Sequence, residues 1–482
     1  MRERINELFR SRFGTDPETV LEMAGDGSSR RYHRIRGADG TTAIGCSGPD
    51  REENRAFLSY SASLRSVGLP VPEIYVADED AGVWIEEDLG DTTLFDAIEE
   101  ARSSSPEAGF PEALVPIYER VLEWLPRFQL DGHEAVDYSV AYPRPAFDRQ
   151  SIQWDLNYFK YHFLKLAHIP FNEERLERDF EALTRFLLRS DMDHFLYRDF
   201  QSRNVMLRGE DPWFIDYQGG RRGALPYDVA SLLYDAKADL PDSLRDRLLA
   251  HYLDALSERL VVSRDEFETS YRGFVVVRIL QALGAYGYRG FYERKPRFLR
   301  SVPYAARNLA AILDHGLPAD LPELASVFER IIDRYTGESA KGGTGPGLTV
   351  YLYSFSYRRG YPEDVSGHGG GYVFDCRALP NPGRLAEYRG VTGLDPGVRE
   401  YLEGRNETAG FWEHVRSLVM SQIETYIGRD FSALTVSFGC TGGQHRSVYF
   451  AERLRSHLAE AVPAVQVRLH HREEPYWPCS TP

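Results

Sequence analysis

Three polar residues in the first half of the chain stand at a spacing suited to phosphoryl transfer. In "FLYRDFQSRNVML" Asp199 follows an apolar and aromatic run and Asn204 comes five residues later, just before the strand-like "VML". In "WFIDYQGG" Asp216 ends a second short apolar run, twelve residues after Asn204. Moving a phosphoryl group from a nucleotide to a hydroxyl needs these types: a carboxylate that orients the hydroxyl and takes its proton, and an amide with a second carboxylate to hold Mg2+ on the phosphates. Upstream, "MAGDGSSRRYHRI" (residues 23–35) bends at Gly25, Gly27, Ser28 and Ser29 before an arginine-rich segment. Small residues there let backbone N–H groups approach phosphate, although a lone glycine turn is more often a hairpin.

A second constellation lies near the end, in "LTVSFGCTGGQHRSVYFAERL" (residues 434–454), where Cys440 stands six residues before Arg446 and seven before Ser447. Leu434, Val436 and Phe438 alternate as in a half-buried strand, and Val448, Ala451, Leu454 and Leu458 recur at helical spacing. The residues between form a strand-to-helix loop that aims free N–H groups and a positive helix end at one point, which suits an anion. Gly442 and Gly443 permit close backbone approach, and Arg446 offers a fork for phosphate oxygens. The Cys-to-Arg spacing is that of a phosphatase loop, with Cys440 as nucleophile. That use needs a general acid, for which Asp375 and Asp395 are candidates, and nothing in the sequence selects either. The plainer role for Cys440 is a small buried residue ending a strand.

The elements that must position these residues fall into two groups. "TGESAKGGTGPGL" lacks apolar periodicity, so residues 336–347 read as a flexible linker. Before it, "PELASVFERIIDRY" puts Leu324, Val327, Phe328, Ile331 and Ile332 on one helical face; after it, "LTVYLYSFSY" has the β-branched and aromatic character of a buried strand. Within residues 1–335, "TTAIGC" and "VWIEEDLG" suggest strands flanking the helical "RAFLSYSASLRSVGL", and helical patterns dominate from about residue 111. The expected fold is therefore mixed α/β and α+β, with a small sheet lobe joined to a larger helical lobe, then a smaller α/β domain over residues 348–482. "ARSSSPEAGFPEA" (residues 101–113) reads as a surface loop, and the aromatic stripe "WDLNYFKYHFL" (residues 154–164) as core or as a wall of an acceptor pocket.

A chain of 482 residues is longer than one core usually grows. No apolar run approaches 18 residues and the start is densely charged, so a soluble, cytoplasmic protein without membrane contact is expected. Four scattered cysteines form neither a disulfide framework nor paired zinc ligands. The net charge of −16 argues against broad capture of nucleic acid. Residues 348–482 hold 14 Arg, no Lys and 15 Asp+Glu, so this part is near neutral and leaves RNA possible but unsupported by charge.

Together "GDGSSRRYHRI", "IEEDLGD", "LYRDFQSRNVML" and "FIDYQGGRRGALPYDVASLLYD" resemble the aminoglycoside phosphotransferase family, and within it the branch of anomeric kinases for N-acetylmuramate and N-acetylglucosamine. The resemblance covers about residues 15–335. It implies a bilobal protein-kinase-like fold, ATP and Mg2+ as cofactors and an amino sugar as substrate. It also implies Asp199 as catalytic base, Asn204 and Asp216 as Mg2+ ligands and Asp228 as a structural support. The backbone of Glu86 to Leu89, with Glu87 and Leu89, would be the adenine hinge, and Gly25, Gly27, Ser28 and Ser29 the phosphate loop. One departure is marked: residues 1–159 contain no lysine, whereas a typical kinase places one on its third strand. Arg30, Arg31 and Arg34 stand nearest, and the sequence leaves open which of them substitutes; Arg31 is counted with the cofactor-binding residues.

The segments "LTVYLYSFSYRRGYP", "YVFDCRALPNP", "YRGVTGLDPGV", "LTVSFGCTGGQHRSVYFAERL" and "VQVRLHHRE" resemble the RapZ C-terminal domain family over about residues 348–474. That resemblance implies binding of an amino-sugar phosphate such as glucosamine 6-phosphate. Thr441, Gly442, Gly443, Gln444, His445, Arg446 and Ser447 would form the phosphate cradle, completed by Arg358, Arg377 and Arg472. Two departures stand out: a "GHGGG" bend at residues 367–371, and no GxxxxGK[ST], so the P-loop partner usual for this domain is absent. The expectation is an amino-sugar kinase with a sugar-phosphate sensor. The alternatives are a bifunctional kinase and Cys-dependent phosphatase, or a non-catalytic regulatory protein binding sugar phosphate or RNA.

Overall fold

The apolar periodicities translate into two compact units in the computed structural model, residues 1–294 with 301–332 and residues 295–300 with 333–482. The structure describes residues 2–23, 30–104, 109–336, 348–362, 371–428, 431, 433–463 and 465–478. Gly25, Gly27, Ser28 and Ser29, the "GHGGG" bend up to Gly370 and all but Thr336 of the expected linker lie outside these residues.

The first unit opens with helix α1 (Arg2–Phe13) and five antiparallel strands, β1 (Pro17–Glu22), β2 (Arg31–Gly37), β3 (Thr42–Ser47), β4 (Ile74–Asp78) and β5 (Val83–Glu87), in the order β1-β2-β3-β5-β4. Strand alternation gives the sheet two faces. Ile35, Ala43, Val83 and Ile85 pack against Ile5, Leu8 and Phe9 of α1. Trp84 and Glu86 turn to the other face, covered by α2 (Arg51–Ser66), whose Phe57 ring lies 5.3 Å from that of Trp84. Asp50 caps α2 by accepting from the N–H groups of Glu52 and Glu53, which fixes where Glu53 points.

The larger lobe is helical, as its sequence pattern predicts. It holds α3 (Leu94–Ser104), α4 (Val115–Ala135), α5 (Arg149–Phe159), α6 (Glu173–Leu187), α7 (Pro226–Leu233), α8 (Asp242–Ser257), α9 (Arg264–Gly287), α10 (Val302–His315) and α11 (Pro322–Thr336). Helix α3 runs into the stretch expected to be a loop from residue 101, where Arg102 anchors it by donating to the carbonyls of Lys237 and Ala238. Two small antiparallel pairs carry the loops of interest: β6 (His194–Leu196) with β9 (Arg221–Gly223), and between them in the chain the hairpin β7 (Val205–Arg208) with β8 (Asp211–Phe214).

Helices α5 and α9 each continue into a π-helical turn, Lys160–Leu164 and Tyr288–Tyr292. They cross at near backbone contact: a Cβ at Gly287 would collide with the His162 carbonyl oxygen, and one at Gly284 would meet the backbone of Tyr158 and Phe159. The aromatic stripe of residues 154–164 is split by this crossing. Phe159, Phe163 and Leu164 are core, while Trp154 and Tyr161 are 46% and 48% exposed.

The second unit is a four-stranded parallel sheet, β10 (Thr349–Ser356), β11 (Tyr372–Asp375), β12 (Ala433–Cys440) and β13 (Gln466–His471), in the order β11-β12-β10-β13. Its core joins Val350, Leu352, Val436 and Phe438 of the sheet to residues of α13 (Asn406–Ile427) and α14 (Arg446–Ala461), with α12 (Pro396–Glu403) at its edge. Both centre strands are covered on two faces, β12 along its whole length, so the alternation expected of a half-buried strand in β12 gives way to burial of its Thr435 and Ser437 as well.

Because α9 rests on α5 through glycine, Gly287→Ala should destabilise the first unit by about 1–3 kcal/mol, the range for forced overpacking. A denaturation midpoint equal to wild type would show that the crossing relaxes freely.

Candidate functional site

Asp228 is where the site begins. It lies in the first turn of α7, fully buried, and its two carboxylate oxygens accept the backbone N–H groups of Tyr197 at 2.8 Å and Arg198 at 3.0 Å. Burial, only partly opposed by those two donors, pushes its carboxyl up to about 7. The Tyr197 hydroxyl also donates to the Ile215 carbonyl at 2.6 Å, so the loop after β6 and the loop after β8 are held together.

That framework fixes unusual backbone. Arg198 has φ +85° and Asp216 φ +69°, the left-handed region that side chains rarely adopt, and such strain concentrates at functional positions. Arg198 is committed to Asp155, with two bonds of 2.6 and 2.7 Å, and to the Tyr227 hydroxyl at 2.6 Å. Asp199, next in the chain, is half-buried and its carboxylate has no hydrogen bond or ion pair with the described residues. Asn204 Nδ2 donates to the Asp199 carbonyl at 2.8 Å and to Asp216 Oδ2 at 3.2 Å. The three residues picked out by spacing are thus adjacent in space. Burial first, and the Asp199 charge second, push the Asp216 carboxyl up.

An amide and a carboxylate so placed form a hard oxygen donor set that fits Mg2+, an ion that takes only one or two protein carboxylates and completes its shell with phosphate and water. Among the described residues no group of three or more His, Cys, Asp or Glu is gathered as a metal cluster.

The facing side of the sheet supplies a cation. Arg30, 4% exposed, pairs with Glu53 at 3.4 Å and lies over the rings of Phe57 (5.1 Å) and Trp84 (5.5 Å). Gln218 bridges from Glu53 (3.3 Å) to Asp216 (2.7 Å), which brings Arg30 into the same network. Of the three arginines weighed from the sequence, Arg31 is exposed on β2 and Arg34 is engaged by Asp88 and Asp91 at 2.9 and 2.5 Å. The inward cation is Arg30 rather than the expected Arg31, because strand alternation turns neighbouring side chains apart. On β3 the residue opposite Trp84 is Cys46, whose buried thiol shares a hydrogen bond with Glu86. Glu86 also accepts from the Trp84 indole at 2.7 Å. Glu87 is held by Arg208 at 2.8 Å and Leu89 is buried. Sequence reasoning missed Glu53, Asp155 and Gln218; the only trace of Asp155 was its place in the aromatic stripe.

In the second unit the Cys440 loop joins β12 to α14 as expected, but its side chains are largely spent on the protein itself. Gln444 donates to the carbonyls of Arg389 and Val391 (3.1 and 2.6 Å), and His445 meets the Tyr388 carbonyl at 2.8 Å. Arg446, 4% exposed, donates through Nη1 to the carbonyls of Arg377 and Leu379, both at 2.8 Å, and its Nε has no hydrogen-bond partner among the described residues. The expected open fork at Arg446 is therefore corrected to a buried clamp on the Arg377 turn. Gly443 sits at φ +67°, pressed on Glu473, and its N–H points at the Cys440 sulfur (3.2 Å), which also contacts the Ser447 hydroxyl at 3.2 Å. Thr441 and Gly442 are exposed.

Arg377 is exposed and bound to Asp375, while Arg472 donates to the Gly360 carbonyl at 2.9 Å and Arg358 is exposed. Neither candidate general acid is available: Asp375 is paired to Arg377, which holds its carboxyl low, and Asp395 caps α12. Cys440 is 3% exposed among core residues, the setting of a structural cysteine.

The sequence model of the family described as phosphotransferase enzyme family matches residues 19–261, and that of the RapZ C-terminal domain matches residues 348–475. A nucleotide-binding protein of Alkalilimnicola ehrlichii is 42% identical over 126 residues, covering 26% of this chain and 41% of that one. One of Halorhodospira halophila is 41% identical over 175 residues, 36% of this chain and 56% of that one. The chain spans about half the length of the curated relatives it matches. Among solved structures, a choline kinase from Cryptosporidium parvum Iowa II (12% identical, TM-score 0.46) covers 68% of this chain and 100% of its own. A macrolide 2'-phosphotransferase from Brachybacterium faecium (14%, TM-score 0.40) covers 63% and 97%. The family match, not these distant likenesses, carries the assignment.

Glu86 makes the site's electrostatics measurable. Burial raises its carboxyl from the ordinary 4.5 to about 7. Between those values the folded chain keeps the proton that the unfolded chain has lost, so its contribution to stability is full below pH 4.5 and fades as pH rises through about 7. The denaturation free energy should fall over this window by roughly 3 kcal/mol more in the wild type than in Glu86→Gln; identical slopes would refute it.

Proposed function

The chain belongs to the phosphotransferase enzyme family, and we propose that it is an ATP- and Mg2+-dependent kinase of amino sugars of the N-acetylmuramate and N-acetylglucosamine type, with a sugar-phosphate sensor in its second unit. The observation that carries this is Asp199: a half-buried carboxylate left unengaged beside the Asn204 and Asp216 pair, on backbone held rigid by Asp228.

Asp199 orients the sugar hydroxyl, the anomeric one, and takes its proton as the oxygen attacks the γ-phosphorus. The new O–P bond forms as the bond to the β,γ-bridging oxygen breaks, giving a sugar 1-phosphate and ADP. Arg198 does not touch substrate; its pairing with Asp155 holds Asp199 in place. Asn204 and Asp216 would hold Mg2+, which when bound neutralises charge on the phosphates. Arg30 fills the office of the missing lysine, since its pairing with Glu53 reproduces the ion pair that a kinase lysine makes with its helix glutamate. Its fork grips phosphate oxygens in two places where a lysine would offer one point charge. Glu86 to Leu89 form the adenine hinge.

The second unit supports the sensor role through its match to the RapZ C-terminal domain and through the helix end and glycine backbone of residues 441–447. Amino-sugar phosphate is the ligand proposed for the exposed side of this loop, with Thr441, Gly442, Arg358 and Arg377 nearest to solvent. Residues 1–335 and 348–482 are proposed as the two functional domains. No helix of the described residues is long and apolar enough to cross a membrane, and the cytoplasm is the proposed compartment.

Asp199→Asn should reduce phosphate transfer to an amino sugar by about 10²- to 10⁴-fold, the usual share of a general base, with ATP binding retained. Turnover at the wild-type rate would sink the mechanism. Arg30→Gln should raise the KM for ATP more than it lowers kcat, and an unchanged KM would return the phosphate-binding role to another group.

A further inference from the structure

Two buried cations beside Asp199 have no task in that mechanism. Arg278, in α9, and Arg221, in β9, are each 6% exposed. Neither forms an ion pair with a carboxylate of the described residues, unlike Arg198, whose charge Asp155 answers. Arg221 Nε donates to the Gly219 carbonyl at 2.9 Å and its Nη2 to the Tyr142 carbonyl at 3.3 Å. Arg278 Nη1 donates to the Gln281 side chain, and its buried Nε has no hydrogen-bond partner among the described residues.

Arg221 reaches Asp199 through Gly219, and Arg278 through Tyr227 and Arg198. Arg278 lies 5.7 Å over the Tyr227 ring, and Arg198 lies 5.4 Å over the same ring. Gly219, which holds Arg221, is so near the carboxylate that a Cβ there would stand 3.7 Å from Asp199 Oδ2. The Asp199 charge acts on all three guanidiniums, and burial beside Arg198 lowers Arg221 to about 10. Burying a cation without a counter-ion is costly, so such a group is retained where something it binds repays desolvation.

We propose that Arg278 and Arg221 form an oxyanion subsite beside Asp199, one that takes either a carboxylate carried by the acceptor sugar or the oxygens of the phosphoryl group in transfer. Both ligands present planar or near-planar oxygens that a guanidinium fork matches. The subsite rests on the phosphotransfer reading of Asp199.

The test uses the full chain as Arg278→Gln, Arg278→Lys and Arg221→Gln, each checked for wild-type melting. ATP is supplied with N-acetylmuramate or N-acetylglucosamine, which differ by the 3-O-lactyl ether that carries the carboxylate. A carboxylate ligand gives a loss of about tenfold to a hundredfold in kcat/KM on N-acetylmuramate alone, carried by KM and partly recovered in Arg278→Lys. Phosphoryl oxygens give a loss of that size on both sugars, carried by kcat. Unchanged kinetics on both sugars in a folded Arg278→Gln, or in Arg221→Gln if the first variant does not fold, overturn the subsite. A wild-type chain that phosphorylates neither sugar refutes the kinase reading instead. The subsite is then judged by calorimetric titration of N-acetylmuramate: tenfold weaker binding in Arg278→Gln supports it, and no binding to wild type, or equal binding, overturns it.

Discussion

Everything in the first unit's site hangs on one buried carboxylate accepting two adjacent backbone N–H groups. Asp228 holds Tyr197 and Arg198 from below, and this is what makes a left-handed Arg198 tolerable. Strained backbone persists only where its surroundings over-determine it. Here three constraints converge on one residue: its own N–H bond to Asp228, the two-pronged pairing with Asp155 and the Tyr227 hydroxyl. The result is that Asp199 needs no partner of its own to be held still. A carboxylate whose geometry is set by its backbone keeps both oxygens for a ligand, which is how preorganisation serves a general base.

The same economy explains what could be read from the sequence and what could not. Asp199, Asn204 and Asp216 were legible because the loops carrying them are short and each residue borders a strand, Asp199 and Asp216 after one and Asn204 just before one, so spacing along the chain maps onto closeness in space. Residues that approach from other elements leave no such mark. Asp155 comes from α5 and Glu53 from α2, and their pairing with Arg198 and Arg30 spans 43 and 23 residues. Arg30 and Arg31 are neighbours with the same chemistry, and only strand direction decides which faces inward. The sheet-and-helix division of the first unit and the parallel strands of the second were legible from apolar periodicity. The continuation of α3 past residue 101 was not, since the carbonyls of Lys237 and Ala238 that anchor it lie far along the chain.

The Cys440 loop teaches a different limit. Its spacing suited a nucleophile and its arginine suited a phosphate, yet the folded loop turns Gln444, His445 and Arg446 toward carbonyls of residues 377–391. Side chains with the right chemistry were present, but the local demand for hydrogen bonds on buried carbonyls claimed them first. What remains open to an anion is backbone and the exposed rim, which suits reversible holding better than bond breaking.

The proposal that Arg30 stands in for a kinase's lysine has a practical side. Nucleotide probes that carry an amine-reactive ester label kinases through a lysine next to the phosphates. Here the small lobe holds no lysine, since the first is Lys160, and that one is buried and paired with Glu173 and Glu177 in a helical turn. On the proposed reading, a proteome-wide profile built on such probes would not label this site, and a thiol-directed one would find Cys46 sealed beneath Trp84 and Glu86.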